Sequence, residues 1–404
     1  MSQPPAAARS WYKPMLARHS GEEHRTATAL ELFFDLCFVA AVSQAARAFE
    51  HEFAQGRFAH AFLGYGLVFF AIWWAWMNFT WFASAYDTDD VLYRVLTFVQ
   101  IAGTLVIAAG AEQALTHDDF TVITWGYVVM RLAMVGQWLR AARGDAQRRR
   151  SCLRYAAGIF VLQWGWLARL ALPDQAGLAS FAVLAAAELA VPVWAERTAG
   201  TTWHPHHIAE RYGLFTLIVL GESITAAVLA IRGALDTGAE LKTVLVISLG
   251  GLLSVFALWW LYFAQDAPRH LATLTTAMLW GYGHYIVFAS AAAVGAGLAV
   301  NLAHATGHGS LTDHQAAASY TVPIALFIVL VRLLHRRASL RPPRDTALHL
   351  AAVLAVLAST FTAIPVLGTG VIAALMVGTT FTTSTSRSRG TTGTGGGGGT
   401  TGTR

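Results

Sequence analysis

The sequence predicts an all-α, polytopic membrane protein with about twelve transmembrane helices in two parallel six-helix repeats. Composition is the first of three observations behind this. Hydrophobic residues make up 55% of the 404 positions and charged residues 13%, and the mean hydropathy is +0.48, whereas a soluble domain carries about 25% charged residues. The second is the recurrence of apolar runs near the roughly 17 to 25 residues that a helix needs to cross a bilayer. The third is the placement of arginines at the ends of some of these runs and not others.

Residues 1–28 contain Arg9, Lys13, Arg18, Glu22, Glu23 and Arg25 and no apolar core with a small-residue cleavage pattern. They read as a cytoplasmic segment rather than a secretory signal, and the first helix acts as its own insertion signal. The first six runs fall at 29–49, 58–82, 92–115, 120–141, 152–171 and 177–195, forming a first repeat over 29–195. Six more, at 208–231, 243–265, 274–301, 316–335, 346–361 and 364–381, form a second repeat over 196–381, and the last two of these are short. The segment 382–404 is built of Thr, Ser, Gly and Arg without apolar periodicity, the pattern of a disordered tail.

Arg140, Arg143, Arg148, Arg149, Arg150 and Arg154 bracket the fourth-to-fifth connection, and Arg332, Arg336, Arg337, Arg341 and Arg344 bracket the tenth-to-eleventh. Both loops are expected in the cytoplasm. No Lys or Arg lies between Arg94 and Arg131 or between Arg269 and Arg332, so those loops are expected outside and both termini inside. The repeat shows in matched features: acids on the first helix of each half (Glu31 and Asp35; Glu210 and Glu222), paired tryptophans on the second (Trp73-Trp74; Trp259-Trp260) leading to Asp87 and Asp266, and Tyr-x-Val on the fourth (Tyr127; Tyr320).

Charges inside apolar runs are the candidate functional groups, because a buried Asp or Arg costs about 2.5 to 3.5 kcal/mol on insertion scales. At about 1.5 Å rise per residue, Arg131, Glu188 and Glu222 fall near the bilayer midplane. Arg211 and Glu222 lie eleven positions apart and so nearly on one helix face, with Phe215 and Ile218 between them. The expectation is a polar pathway between the halves, in which Asp35, Glu188 and Glu222 face Arg131 or Arg211 and pass a small cation or proton. The competing expectation is buried ion pairs that fix helix register. Glu31 and Glu210 read as interfacial acids favoured by helix N-termini.

Other clusters carry less. Asp87, Asp89 and Asp90 before Tyr93-Arg94 could attract cations at a cytoplasmic mouth, or supply an N-cap for the third helix. His206 and Glu210 have a spacing compatible with a metal, but His204, His206 and His207 are expected to be exposed loop residues. His304, His308, Asp313 and His314 fall in a predicted outer loop, and His284 is expected to bond a neighbouring helix. Trp73, Trp74, Trp76 and Trp81 read as packing and interfacial belt. Cys37 and Cys152 lie far apart and suggest neither a disulfide framework nor a metal site. No phosphate loop, nucleophile elbow or zinc-protease helix is present, so no catalytic residue, cofactor or metal is expected. The net charge of +5 reflects loop arginines rather than a nucleic-acid surface.

Several strings, in order, resemble the bacterial low temperature requirement protein A family: Glu31-Leu-Phe-Phe-Asp-Leu-Cys-Phe-Val39, Trp81-Phe-Ala to Tyr86-Asp-Thr-Asp-Asp90, Arg131 to Arg140, and Glu210-Arg-Tyr-Gly-Leu-Phe-Thr-Leu-Ile-Val-Leu-Gly-Glu-Ser223. The resemblance implies a multipass protein of the bacterial inner membrane, linked by name to growth in the cold; the Gly/Thr-rich tail departs from it. A more remote similarity is to potassium channels of six-helix repeats bearing Arg-x-x-x-Phe-Ser-Asp on the first helix. Phe33-Phe34-Asp35 keeps the end of that motif with Ala29 in place of the arginine, and Arg211 to Phe215-Thr216 keeps its start with Leu217 in place of the aspartate. The functional expectation is a channel or transporter for a small ion or solute. A membrane-embedded or lipid-modifying enzyme, or a structural or sensory membrane protein, is the alternative.

Overall fold

The computed structural model describes residues 11–18, 25–236, 238, 240–264, 271, 273–307, 310–335 and 343–391. Twelve α-helices occur among them: α1 (Ala29–Ala54), α2 (Phe58–Tyr86), α3 (Val91–His117), α4 (Thr121–Gly144), α5 (Arg149–Arg169), α6 (Gly177–Glu196), α7 (Pro205–Asp236), α8 (Leu241–Phe263), α9 (Leu274–Ala305), α10 (Asp313–Leu334), α11 (Pro343–Ser359) and α12 (Pro365–Thr391). No strand is present among the described residues.

Local chemistry sets many of the boundaries. Thr28 and Glu31 form a reciprocal capping box at the start of α1, and Thr312 with Gln315 does the same for α10. Asp90 caps α3 by accepting from the Tyr93 backbone N–H at 2.7 Å. Three helices open on a proline, Pro205, Pro343 and Pro365, where a missing N–H costs nothing. Just past α1, Gly56 takes φ +77°, a left-handed conformation that ends the helix without steric penalty.

Nine of the helices, α1 to α4 and α6 to α10, are long and apolar enough to cross a membrane. The other three differ from the expected twelve spans for stated reasons. α5 carries Arg149, Arg150, Arg154 and Arg169, and among the residues whose side chains are described α11 and α12 show apolar stretches only over Thr346–Ser359 and Pro365–Gly378. α12 continues through Thr391, into the segment 382–404 expected to lack structure; residues 392–404 lie outside the described residues. So do Arg9, Glu22, Glu23, Asp266, Arg269, His308, Arg336, Arg337 and Arg341.

In the first half α1 packs on α2 and α3, α3 on α4, α4 on α5 and α5 on α6. In the second, α7 packs on α8 and α9, α9 on α10, α10 on α11, and α12 against both α8 and α11. α9 is the most interior helix: 83% of its most apolar window is buried, against 28% for α7. The halves meet where α1 and α2 pack on α7 and α9. Closest approach between α3 and α4 depends on Gly103 and Gly126, since a Cβ on either would stand 2.6 Å from the other's carbonyl oxygen.

Trp73 and Trp74 are buried, whereas Trp259 and Trp260 are 41% and 40% exposed. The two tryptophan pairs therefore occupy different environments, the first in the helix core and the second on the apolar outer surface.

Candidate functional site: the seam between α1 and α7

Residues on α1 meet residues on α7 in the same order along both helices: Glu31 with His207 and Arg211, Asp35 with Arg211, Ser43 with Glu222. The two helices are thus parallel, and both begin at the same level. At that end Arg211 is completely buried and binds two carboxylates. Its Nε and Nη2 donate to separate oxygens of Asp35 at 3.0 and 2.6 Å, and Nη1 lies 2.9 Å from Glu31 Oε1. His207 Nε2 lies 3.0 Å from the same Glu31 oxygen, and the Trp76 indole N–H donates to Asp35 at 2.7 Å. A planar guanidinium suits this arrangement because its donors form a fork matching a carboxylate.

Glu31 is not the interfacial acid expected from its position at a helix start. It caps α1, but its side chain is also fully buried against α7, because parallel neighbours that start together bring their first turns into contact. His204 and His207 likewise are buried rather than exposed, while His206 is exposed. Glu210 is half-buried.

A second layer lies outside the membrane-spanning segments. Arg25 is buried: it donates to the carbonyl oxygens of Ser84 and Ala83 and lies 3.8 Å from Glu31 and 3.9 Å from Asp87. Arg18 reaches Asp87 at 3.5 Å. Burial pushes the Asp87 carboxyl up to about 6, reinforced by the charge of Glu31 and opposed by Arg25 and Arg18. Asp90 is tied to Arg140 at 2.5 Å as well as capping α3, and Asp89 pairs with Arg94. These acids are all paired or serve as caps.

Arg131 and Glu188 pair with each other, at 2.6 Å, within the first half and away from the seam. Around Glu188 the donors are nearly saturating: Trp74 Nε1 at 3.1 Å joins Arg131 on one oxygen, while Tyr127 at 3.1 Å, Trp166 at 3.3 Å and Gln163 at 3.5 Å serve the other. Four helices, α2, α4, α5 and α6, converge on this carboxylate. Such a group is held in one place by its neighbours.

Glu222 lies farther along the seam, half-buried, and accepts a 2.5 Å hydrogen bond from the Ser43 hydroxyl. Among the described residues no cationic side chain stands within ion-pair distance of it. It lines a cavity of about 180 Å³ with Ser43, Arg47 and Glu50 of α1, Ser223 of α7, and Gly295 of α9. Between this cavity and the Asp35–Arg211 pair sits an aromatic layer: the rings of Trp76, Phe215 and Phe288 are 4.4 to 5.5 Å apart and buried. Asp35 and Arg211 therefore come together, Arg131 and Glu188 come together elsewhere, and Glu222 stands apart from both.

His207, Trp76, Arg25, Ser43 and Glu50 were not singled out as site residues in the sequence. His207 precedes Arg211 by one helical turn and so shares its face, a signal that could have been read. For Arg25 no such signal exists, since its hydrogen bonds go to the backbone carbonyls of Ala83 and Ser84, distant in sequence. His284 receives or donates a hydrogen bond with Tyr262 of α8 at 3.0 Å. Cys37 and Cys152 are both free, and among the described residues no cluster of three or more His, Cys, Asp or Glu side chains could hold a metal.

Nine apolar spanning helices, with buried ion pairs in place of soluble-domain surface charge, define a multipass helical membrane protein. The profile of the bacterial low temperature requirement A protein (LtrA) family matches residues 26–381, and the chain belongs to that family. It is also similar to an uncharacterized protein, RA0937, of Rhizobium meliloti (strain 1021), with 26% identity over 304 residues covering 71% of this chain and 72% of the relative. No solved structure matches.

Proposed function

We propose that the protein is a channel or transporter for a small ion or solute in the bacterial inner membrane, with the α1–α7–α9 seam as its path. The observation that carries this reading is the sequence of groups along the seam: a carboxylate–guanidinium network, an aromatic layer, then a cavity holding Glu222. Intramembrane carboxylates beside a cavity, at the meeting of two helix bundles, are where membrane carriers bind their cargo. In this reading the aromatic layer is the barrier between the two ends, and Arg131 with Glu188 holds the first half rigid beside the path.

The same reading takes all twelve helices as spans in two parallel halves, 29–195 and 196–381, with both termini cytoplasmic as the arginine-rich loops require. Two parallels support it: α1 packs on α3 and α3 on α4, as α7 packs on α9 and α9 on α10, and α1 runs parallel to α7. α5 is taken as a span because its arginines, at 149, 150, 154 and 169, lie toward its two ends and Gln163 is turned inward to Glu188.

Reconstitution into liposomes tests the proposal. Wild-type protein should pass a proton, monovalent cation or small anion, and Glu222→Gln should abolish that flux while leaving the unfolding temperature in detergent with choline chloride as the only salt unchanged. Wild-type vesicles with no flux of any of these would overturn the reading.

A further inference from the structure

We propose that the Glu222 cavity binds a single, partly hydrated alkali cation; this rests on the transport reading for the purpose of the site, though not for its existence. The charge balance points to one positive charge. Arg47 and Glu50 lie one turn apart on α1, at i and i+3, and the cavity wall carries one arginine against two carboxylates, Glu50 and Glu222.

The available donors are hard oxygens. Glu222 offers the carboxylate oxygen not engaged by Ser43, and the Ser43 hydroxyl, having donated its proton to Glu222, keeps its lone pairs. Ser223 is buried beside them with its hydroxyl proton directed to the carbonyls of Val219 or Ala291, so its oxygen lone pairs are likewise free. No imidazole or thiol lines the cavity, which disfavours transition metals. One carboxylate is too little charge for a divalent ion, whose sites collect several.

Size agrees. At about 30 Å³ per water, a space of about 180 Å³ has room for an ion with a few of its waters. Gly295 on α9 makes the space compact: a Cβ there would stand 3.0 Å from the Ser223 Cα.

The test is thermal unfolding of the full chain in detergent, in chloride salts of lithium, sodium, potassium and choline at constant ionic strength. At least one alkali salt should raise the midpoint saturably above choline, because a ligand that binds the folded state stabilises it. Glu222→Gln should remove the difference. Ser43→Ala, which keeps the carboxylate, should weaken the apparent affinity on the order of tenfold, and serves if the glutamine variant does not fold. Identical midpoints in choline and all alkali salts, or a cation effect that persists in both variants, would overturn the inference. A cation effect without flux in liposomes would sink the transport reading and leave the site standing; flux of another solute without a cation effect would do the reverse.

Discussion

Arg211 on α7 grips Asp35 on α1 through two nitrogens, each to its own carboxylate oxygen, while its third nitrogen faces Glu31. A single guanidinium thus joins the two halves of the chain at a fully buried place.

Arg211→Lys is expected to be far from conservative. A lysine has no fork, and it could not donate to both Asp35 oxygens and face Glu31 at once. Loss of a buried partner costs about 3 to 5 kcal/mol, and denaturant unfolding in micelles should show a fall of that order. Asp35→Asn in the Arg211→Lys background should recover part of it; additive losses would argue against direct coupling.

Arg131→Ala should destabilise by a similar amount, about 3 to 5 kcal/mol, because Glu188 would keep only neutral donors. The measurement is the unfolding midpoint in detergent. Glu188→Gln should cost comparably by leaving the arginine buried without a counter-charge, and an unchanged midpoint in either variant would refute the pairing.

Asp87 makes stability depend on pH. Its carboxyl is raised from 3.8 to about 6 by burial, so folding favours the protonated form. That contribution is fully present below pH 3.8 and is lost as pH rises through about 6, a difference of about 3 kcal/mol at most. Asp87→Asn should flatten the stability profile between pH 4 and 7; a profile identical to wild type would count against this origin.

Gly103→Ala should separate α3 from α4. The new Cβ would press 2.6 Å from the Gly126 carbonyl oxygen and 3.0 Å from Met130 Cβ, an overpacking worth about 1 to 3 kcal/mol. Gly136→Ala on the facing helix α4, whose Cβ would meet only Leu96 methyls at 3.6 Å, is the control and should be nearly neutral in the same unfolding assay.

Helix positions were legible because a bilayer demands long apolar runs, and the boundaries at Ala29, Phe58, Gly177 and Leu274 fall where those runs begin. Capping chemistry made Asp90 legible as well. Which charge meets which was not. Arg131 and Arg211 were both eligible for Asp35, Glu188 and Glu222 by depth alone, since depth is one coordinate and helix packing supplies the other two. The burial of Glu31 escaped for the same reason: a helix-start acid is interfacial only if no neighbouring helix starts beside it. Glu188 illustrates the reverse, as four of its five donors are neutral side chains whose polar role a hydropathy reading conceals.

Asp35 and Arg211 are 176 positions apart. At about 5 to 20 residues per second, the ribosome delivers the arginine roughly 10 to 35 seconds after the aspartate. For that interval Asp35 has no guanidinium to receive it, and Glu31 has only Arg25, 3.8 Å away. The first helix of the chain is therefore among the last to be completed, and its settling in the membrane is timed by the synthesis of α7.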